Sequence, residues 1–262
     1  MLRALYTAAT GMEAQQLNID TIAHNLANIN TSGFKLRKAQ FQDLLYQNIR
    51  QAGAANTATT DIPVGLQVGL GTKPVATEVI FTQGDFSSTN NPLDIVIQGQ
   101  GFFQVRQPNG EIAYTRNGNF HLNRDGYIVT SEGDLLDPQI MIQPEQTGIT
   151  IGADGTVSVQ LDGQPQPQVA GKIELALFQN PSGLKNTGKS LFVITQSSGE
   201  AITGTPGENG LGTLLAGYIE QSNVSVVEEM VNMIVSQRAY EANSKVIRTA
   251  DEMFTQANNV IR

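Results

Sequence analysis

NLANINTSGFK, residues 25–35, packs three asparagines, a Thr-Ser-Gly turn and an aromatic residue into eleven positions. The run before it places Leu2, Leu5, Ala9, Met12, Gln16, Ile19, Ala23, Leu26 and Asn30 at alternating steps of three and four. That rhythm is the heptad pattern of a helix seam, which Ile22 and Ile29 widen. Such a helix is about 40 Å long, with Gly11 a weak point costing roughly 1 kcal/mol against Ala. Beyond Lys35 the period disappears. The stretch therefore ends one kind of structure and starts another. Asn28 and Asn30 weaken helical continuation, Thr31-Ser32-Gly33 supply a turn in which Gly33 can take positive φ, and Phe34 can anchor the next segment.

The other end of the chain matches. Val224, Val227, Val231, Val235, Ala239, Ala242, Val246, Thr249, Met253, Gln256 and Val260 keep a similar rhythm, and Ile234 lies beside it. Three consecutive intervals of four within 227–239 form a stutter, a local change of supercoil. Ser222 or Ser225 offers an N-cap, and Glu228 stands at capping-box spacing from Ser225. Neither Gly nor Pro interrupts 222–262, so the helix can run about 60 Å.

Between these ends the period changes to two. Strands are expected near 75–81, 93–98, 101–106, 111–115, 127–130, 139–142, 149–151, 156–160, 171–178, 191–195 and 213–220. PNGE (108–111), NRDG (123–126), ADGT (153–156) and LDGQ (161–164) carry hairpin signals. Residues 47–73 lack a core-forming period and read as a long extended or loop segment. The expected fold is α+β. Long N- and C-terminal helices pair as a coiled coil, and a β-rich central body holds many short antiparallel strands. By segment, 1–34 and 222–262 form the helical part, 35–91 the connection, and 92–221 the body.

The 262 residues carry a net charge of −8, 40% hydrophobic side chains and no cysteine. The acid is concentrated in the middle: residues 1–38 carry +2, 222–262 carry −1, and the remainder −9. This balance argues against nucleic acid or an anionic membrane as partner. Without cysteine, a disulfide, a thiolate nucleophile and a Cys-ligated metal are excluded. MLRALYTAATGMEAQQ has no apolar signal core, and no stretch reaches the roughly 18–20 apolar residues of a membrane span. Those rules alone point to the cytoplasm.

Candidate chemistry is sparse. His24 sits on the N-terminal helix and reads as packing. HLNRDGYIVTSE (121–132) matches calcium-loop spacing at Asn123, Asp125, Gly126 and Glu132, but His121 takes the first position and the flanks are strand-like rather than helical. Arg124-Asp125-Gly126 reads better as a hairpin turn. VGLGTKP (68–74) lacks the Gly-Lys-Ser/Thr ending of a phosphate loop, and Pro74 leaves no helix N-terminus there. Gly99-Gln100-Gly101 is only a fragment of a dinucleotide fingerprint. Glu132, Asp134 and Asp137 sit on a turn with no apolar pocket to raise a pKa. No catalytic residue, cofactor, metal or small-molecule substrate is expected.

LYTAATGMEAQQLNIDTIAHNLANINTSGFK (5–35) resembles the N-terminal signature of the bacterial flagellar rod and hook proteins. Its core here is Ala27, Asn28, Asn30, Thr31, Gly33, Phe34 and Lys35. PLDIVIQGQGFFQV (92–105) and YTRNGNFHLNRDGYIVTSEGDLL (114–136) resemble the family's β region. NVSVVEEMVNMIVSQRAYEANSKVIRTADEMF (223–254) is similar to its C-terminal helix signature. Within the family, the length and segment 46–86 are most similar to the distal-rod members, with proximal rod or hook subunits as the alternative. An enzyme acting on the cell wall is the reading from another class.

The resemblance implies a subunit of a rigid helical tube that transmits torque and encloses an export channel. It reverses the cytoplasmic expectation: the chain would leave through the flagellar type III export apparatus, uncleaved, and assemble across the periplasm. Expected partners are other copies of itself, proximal rod proteins, the hook protein, and the ring proteins of the peptidoglycan and outer membrane. The positions expected between subunits are Leu2, Leu5, Met12, Ile19, Ile22, Leu26 and Ile29, with Val227, Val231, Ile234, Val235, Val246, Met253 and Val260. Segment 47–73 is expected to reach neighbouring subunits and hold the lattice straight. In a free subunit both termini are expected to be largely disordered.

Overall fold

The computed structural model describes residues 2–51, 55–57, 60–61, 64–143, 146–161 and 166–260. Helix α1 covers Leu2–Ala27 and helix α2 covers Val226–Val260, about 39 and 52 Å at 1.5 Å per residue. None of the described helices is long and apolar enough to cross a membrane. The chain divides into two compact units. One holds Met1–Leu26, Arg37–Glu78 and Ser225–Arg262; the other holds Ala27–Leu36 and Val79–Val224.

The first unit joins both helices to a β ribbon. Arg37–Asp43 pairs with Thr72–Val79, Tyr46–Arg50 with Leu66–Gly69, and Ala55–Thr57 with Thr60–Asp61. Because these pairs nest inside one another, they are successive rungs of one long hairpin. Much of this ribbon lies where an extended or loop segment was expected. Every residue of Tyr46–Arg50 is exposed, so no buried face imposes the alternation by which a strand is recognised.

The second unit is an antiparallel β body with a buried centre. Its largest sheet runs Phe120–Leu122, Ile128–Thr130, Leu135–Asp137, Phe102–Arg106, Ile112–Thr115, Leu191–Val193, Lys185–Gly188. Leu175–Leu177 branches from Phe102–Arg106 and carries Ile202–Gly204 on its far side. Adjacent Phe102 and Phe103 show why the apolar run GFFQV lacks alternation. Phe103 and Val105 enter one apolar cluster with Ile95, Phe120, Leu136 and Ile173. Phe102 enters another with Tyr114, Phe178 and Phe192, where the Tyr114 and Phe178 rings meet edge to face at 4.8 Å. A sheet buried on both faces has near-continuous apolar strands.

Most expected strands are present, with informative differences. The 213–220 run breaks at Gly217, whose φ is +83°, into Thr213–Ala216 and Tyr218–Glu220. These pair with Ile95–Gln98 and Phe86–Ser88 respectively. The 171–178 run divides into Gln168–Lys172 and Leu175–Leu177, which belong to different sheets. Residues 139–142 form no ladder strand; Met141 makes an isolated bridge to Tyr127, and Pro138 brings no backbone donor to that approach. Short strands at Phe86–Ser88, Lys185–Gly188 and Ile202–Gly204 carried no apolar signal in the sequence. PNGE, NRDG and ADGT are turns, closed by Gly110 N–H to Gln107 O, Gly126 N–H to Asn123 O and Gly155 N–H to Gly152 O. LDGQ falls outside the described residues.

Candidate functional site

In the first unit the two helices lie antiparallel and meet through small and polar side chains. Asn25 Nδ2 donates to Glu229 Oε2 at 2.9 Å, and Asn18 Nδ2 donates to Ser236 Oγ at 2.8 Å. At the next step Gly11 faces Asn243, so closely that a Cβ on Gly11 would lie 2.9 Å from the Asn243 amide nitrogen. Each step of seven along α1 is matched by a step of seven back along α2. The same step leads on to Ala4 and Ala250, the latter buried. Gly11, which the sequence marks as a weak point, is where an added side chain on α1 would collide with α2. Asn25 also makes two bonds to the ribbon. Its Oδ1 accepts the Arg37 N–H at 2.9 Å and its Nδ2 donates to the Arg37 carbonyl at 2.8 Å. It thereby stitches the end of α1 to the first ribbon strand.

The apolar positions expected between subunits fall into two groups. On α1, Ile22 is buried, while Leu5, Met12, Ile19 and Leu26 are half-buried, as is Ile29 just past the helix end. On α2, Val227, Val231, Ile234 and Val235 are between 51% and 72% exposed, and Val246 and Met253 are exposed too. The side chains of Leu2 and Val260 lie outside what the structure describes. Geometry explains the α2 pattern. Val227, Val231 and Ile234 stand two residues from Glu229 or Ser236, about 200° around the helix from the polar contacts. Met230, exposed on the same helix, extends the stripe. The ribbon is similar, with Leu45, Tyr46, Ile49, Val64 and Leu66 all exposed.

The second unit holds the joint at the end of NLANINTSGFK. α1 stops at Ala27 and 28–33 form turns, with Thr31 N–H donating to Asn28 O and Phe34 N–H to Thr31 O. Gly33 takes φ +68°. A Cβ there would come within 2.6 Å of the Asn117 backbone nitrogen, so the motif glycine is required twice. Asn28, Thr31 and Phe34 are half-buried, while Ala27 and Asn30 are exposed.

Lys35, 2% exposed, donates from Nζ to Glu220 Oε1 at 2.6 Å and to Thr82 O at 2.7 Å. Glu220 Oε1 also accepts the Gly84 N–H at 2.9 Å, and the Glu220 carbonyl accepts the Gly33 N–H. Arg116 comes within 3.6 Å of Glu220 Oε2. Its Nη2 donates to Gly99 O at 2.7 Å, and its guanidinium lies 5.5 Å from the Phe102 ring centre. Two buried cations thus share one buried carboxylate, with the excess positive charge spread over carbonyls and an aromatic face.

Burial pushes the Lys35 amine below its ordinary range, while Glu220 pulls it back. The Arg116 guanidinium is lowered by burial in the same way. Asn223 completes the joint: its Oδ1 accepts the Leu36 N–H, and its Nδ2 donates to Ile80 O and Thr82 O. Residues 33–36, 80–84 and 220–223 are laced together just before the chain passes to the other unit. Sequence reasoning found Lys35 and missed Glu220, Arg116 and Asn223, because each is a lone polar residue whose partners lie far along the chain.

The remaining chemical candidates resolve into structure. His121 is exposed on strand Phe120–Leu122, its Nε2 3.4 Å from Ser131 Oγ. Asn123 Oδ1 accepts the Asp125 and Tyr127 N–H groups, which makes 121–132 a hairpin. Glu132 pairs with exposed Lys189 at 2.7 Å and Asp137 with Arg106 at 2.9 Å. VGLGTKP runs out of one ribbon strand and into another. His24 is largely exposed, and the partial loss of solvent on its ring, together with the charge of Arg37, lowers its pKa.

Three family models match the chain. Residues 5–35 match the flagella basal body rod protein model, 96–159 the flagellar hook protein FlgE/F/G D1 domain, and 215–260 the flagellar basal body rod FlgEFG protein C-terminal model. The chain is 51% identical to the flagellar basal-body rod protein FlgG of Caulobacter vibrioides over 262 residues, covering all of both chains. It is 50% identical to that of Borreliella burgdorferi over 264 residues, again covering both completely. A more distant relative, the flagellar hook-basal body complex protein FlhP of Bacillus subtilis, is 31% identical over 99% of this chain and all of its own.

Proposed function

Since the chain belongs to the flagellar basal-body rod protein FlgG family, we propose that it builds the distal rod by packing the exposed apolar stripe of α2 against neighbouring copies. It is a structural subunit of the flagellar basal body. The observation that carries the assembly reading is the row Val227, Met230, Val231, Ile234 and Val235, all exposed on one long helix. Burying each such side chain between subunits contributes about 1.5–3 kcal/mol. Contacts between different faces of one subunit do not close on themselves, and repeated they give a helical filament.

In this reading the paired helices form a coiled coil lining the inner tube around an export channel, and the acidic β body faces outward. The chain reaches its place through the flagellar type III export apparatus and spans the periplasm. It joins proximal rod proteins on one side and the hook protein on the other, within the peptidoglycan and outer-membrane rings. The ribbon at 46–69, with its exposed Tyr46, Ile49, Val64 and Leu66, reaches neighbouring subunits and holds the lattice straight.

The test is the double variant Val231→Asp/Val235→Asp. The β body should unfold at the unchanged temperature while rods no longer assemble; normal rods would remove the stripe from the interface. Deleting the ribbon between Tyr46 and Gly69 should leave a polymer that curves, and a straight rod would end that part of the reading. Labelling the protein in purified basal bodies separates a distal position from a proximal or hook one.

A further inference from the structure

The exposed stripe explains what neighbours hold, but not how each helix recognises the correct partner. Valine-rich stripes are poor at this, because sliding one helix by a heptad replaces one apolar side chain with another of similar size. The contacts inside the chain behave differently. Asn25 meets Glu229, Asn18 meets Ser236, and Gly11 meets Asn243. A large side chain stands opposite a small one at two of the three levels. The first level is a buried carboxylate with an amide donor.

We propose that this ladder, Gly11, Asn18 and Asn25 against Asn243, Ser236 and Glu229, selects the partner and register of the two helices. It commits α1 to the α2 of its own chain, and the inference rests on the rod-subunit reading above. Sliding α1 by one heptad in one direction sets Asn18 against Asn243, two amides where one amide and one hydroxyl fitted. The same slide sets Gly11 against Ala250, leaving a gap, and takes Asn25 away from buried Glu229. A slide in the other direction brings Asn18 to Glu229 but sets Gly11 against Ser236, so buried Asn25 and Ser236 both lose these partners. Either slide leaves a buried polar group without its partner, the penalty by which single polar residues fix helix register.

Asn25 also holds both backbone groups of Arg37, so the ladder is anchored to the start of the ribbon of the same chain. The apolar stripe, about 200° away, is left for other copies. One face therefore reads self and the other reads neighbour.

The absence of cysteine makes the test clean. In full-length protein, purified and assembled into rods, Gly11→Cys/Asn243→Cys places two thiols in register, and Gly11→Cys/Ser236→Cys places them one heptad out. One heptad is about 10.5 Å of helix, beyond the roughly 7 Å between Cα atoms that a disulfide spans. Under mild oxidation the first pair should form an intrachain disulfide, visible as faster migration without reductant, at least tenfold more than the second. Asn18→Cys/Ser236→Cys is the second in-register pair should the first disturb packing. Equal yields from in-register and out-of-register pairs, or chiefly interchain dimers, would overturn the ladder. The two readings fail separately. Rods that assemble with scrambled cross-links refute the ladder alone, whereas correct intrachain cross-links in a chain that never forms rods refute the rod-subunit reading.

Discussion

The β body and the helices obey opposite rules about apolar surface. In the body, Ile95, Phe103, Phe120, Leu136 and Leu175 are fully buried, and even the charged side chains of Lys35, Arg116 and Glu220 are sealed in around one shared carboxylate. On α2 Val227, Met230, Val231, Ile234 and Val235 are exposed, Met233, Ile247 and Phe254 are half-buried, and among the described residues the buried positions are Glu229, Ser236 and Ala250. The body buries its apolar side chains within the chain; α2 leaves much of its own exposed. Hydrophobic burial is the main favourable term in folding and in association alike. The body obtains that term from itself; under the proposed assembly the helices would obtain theirs from copies.

The largest expected contrast is in amide exchange of a proven monomer. The body should open only with global unfolding, at about 5–15 kcal/mol, while α1 and α2 exchange at near-unfolded rates. Strong protection of both helices would break the comparison. Next is Glu220→Gln, which leaves Lys35 and Arg116 buried without their anion. It should destabilise the body by about 3–5 kcal/mol in urea unfolding followed by circular dichroism, and a loss below about 1 kcal/mol would show the joint to be well hydrated.

A matched pair of truncations sharpens the contrast. Phe103→Ala should cost about 3–5 kcal/mol in the free chain. Val231→Ala should change free-chain stability by less than about 0.5 kcal/mol and raise the concentration needed for assembly. Gly33→Ala, forced into positive φ against the Asn117 backbone, should cost about 1–3 kcal/mol, read from the same urea curves.

The smallest effect concerns His24. Burial and Arg37 depress its pKa below the ordinary 6.5, so the folded state favours the neutral ring. Its contribution is complete above pH 6.5 and is lost as pH falls through the depressed value. Rods should therefore dissociate slightly more easily at pH 5.5 than at pH 7.5, and His24→Gln should flatten that difference in a turbidity titration.

Local chemistry was legible where one short stretch contains the whole cause. The heptad rhythm gave both helices, the Asn-Gly and Asp-Gly pairs gave hairpin turns, and Gly33 could be marked for positive φ before its angle was seen. The ribbon was not legible, because strands exposed on both faces have no period to find. Nor was the helix pairing. Apolar spacing pointed to Leu5, Met12, Val231 and Val235 as the seam, while the contacts between α1 and α2 run through Gly11, Asn18 and Asn25.

By itself the sequence determined two terminal helices, an antiparallel β body, the end of α1 near Asn28 and the family to which these motifs belong. Each depends on residues close together in the chain, so spacing alone encodes it. Only the tertiary structure decided that Lys35, Arg116 and Glu220 form one charge cluster, and that Glu229 and Ser236 of α2 meet α1 while Val227, Val231 and Ile234 stay exposed. Those facts join residues about 100–220 positions apart. Which of two helix faces is buried depends on what folds back against it, and no local pattern contains that partner.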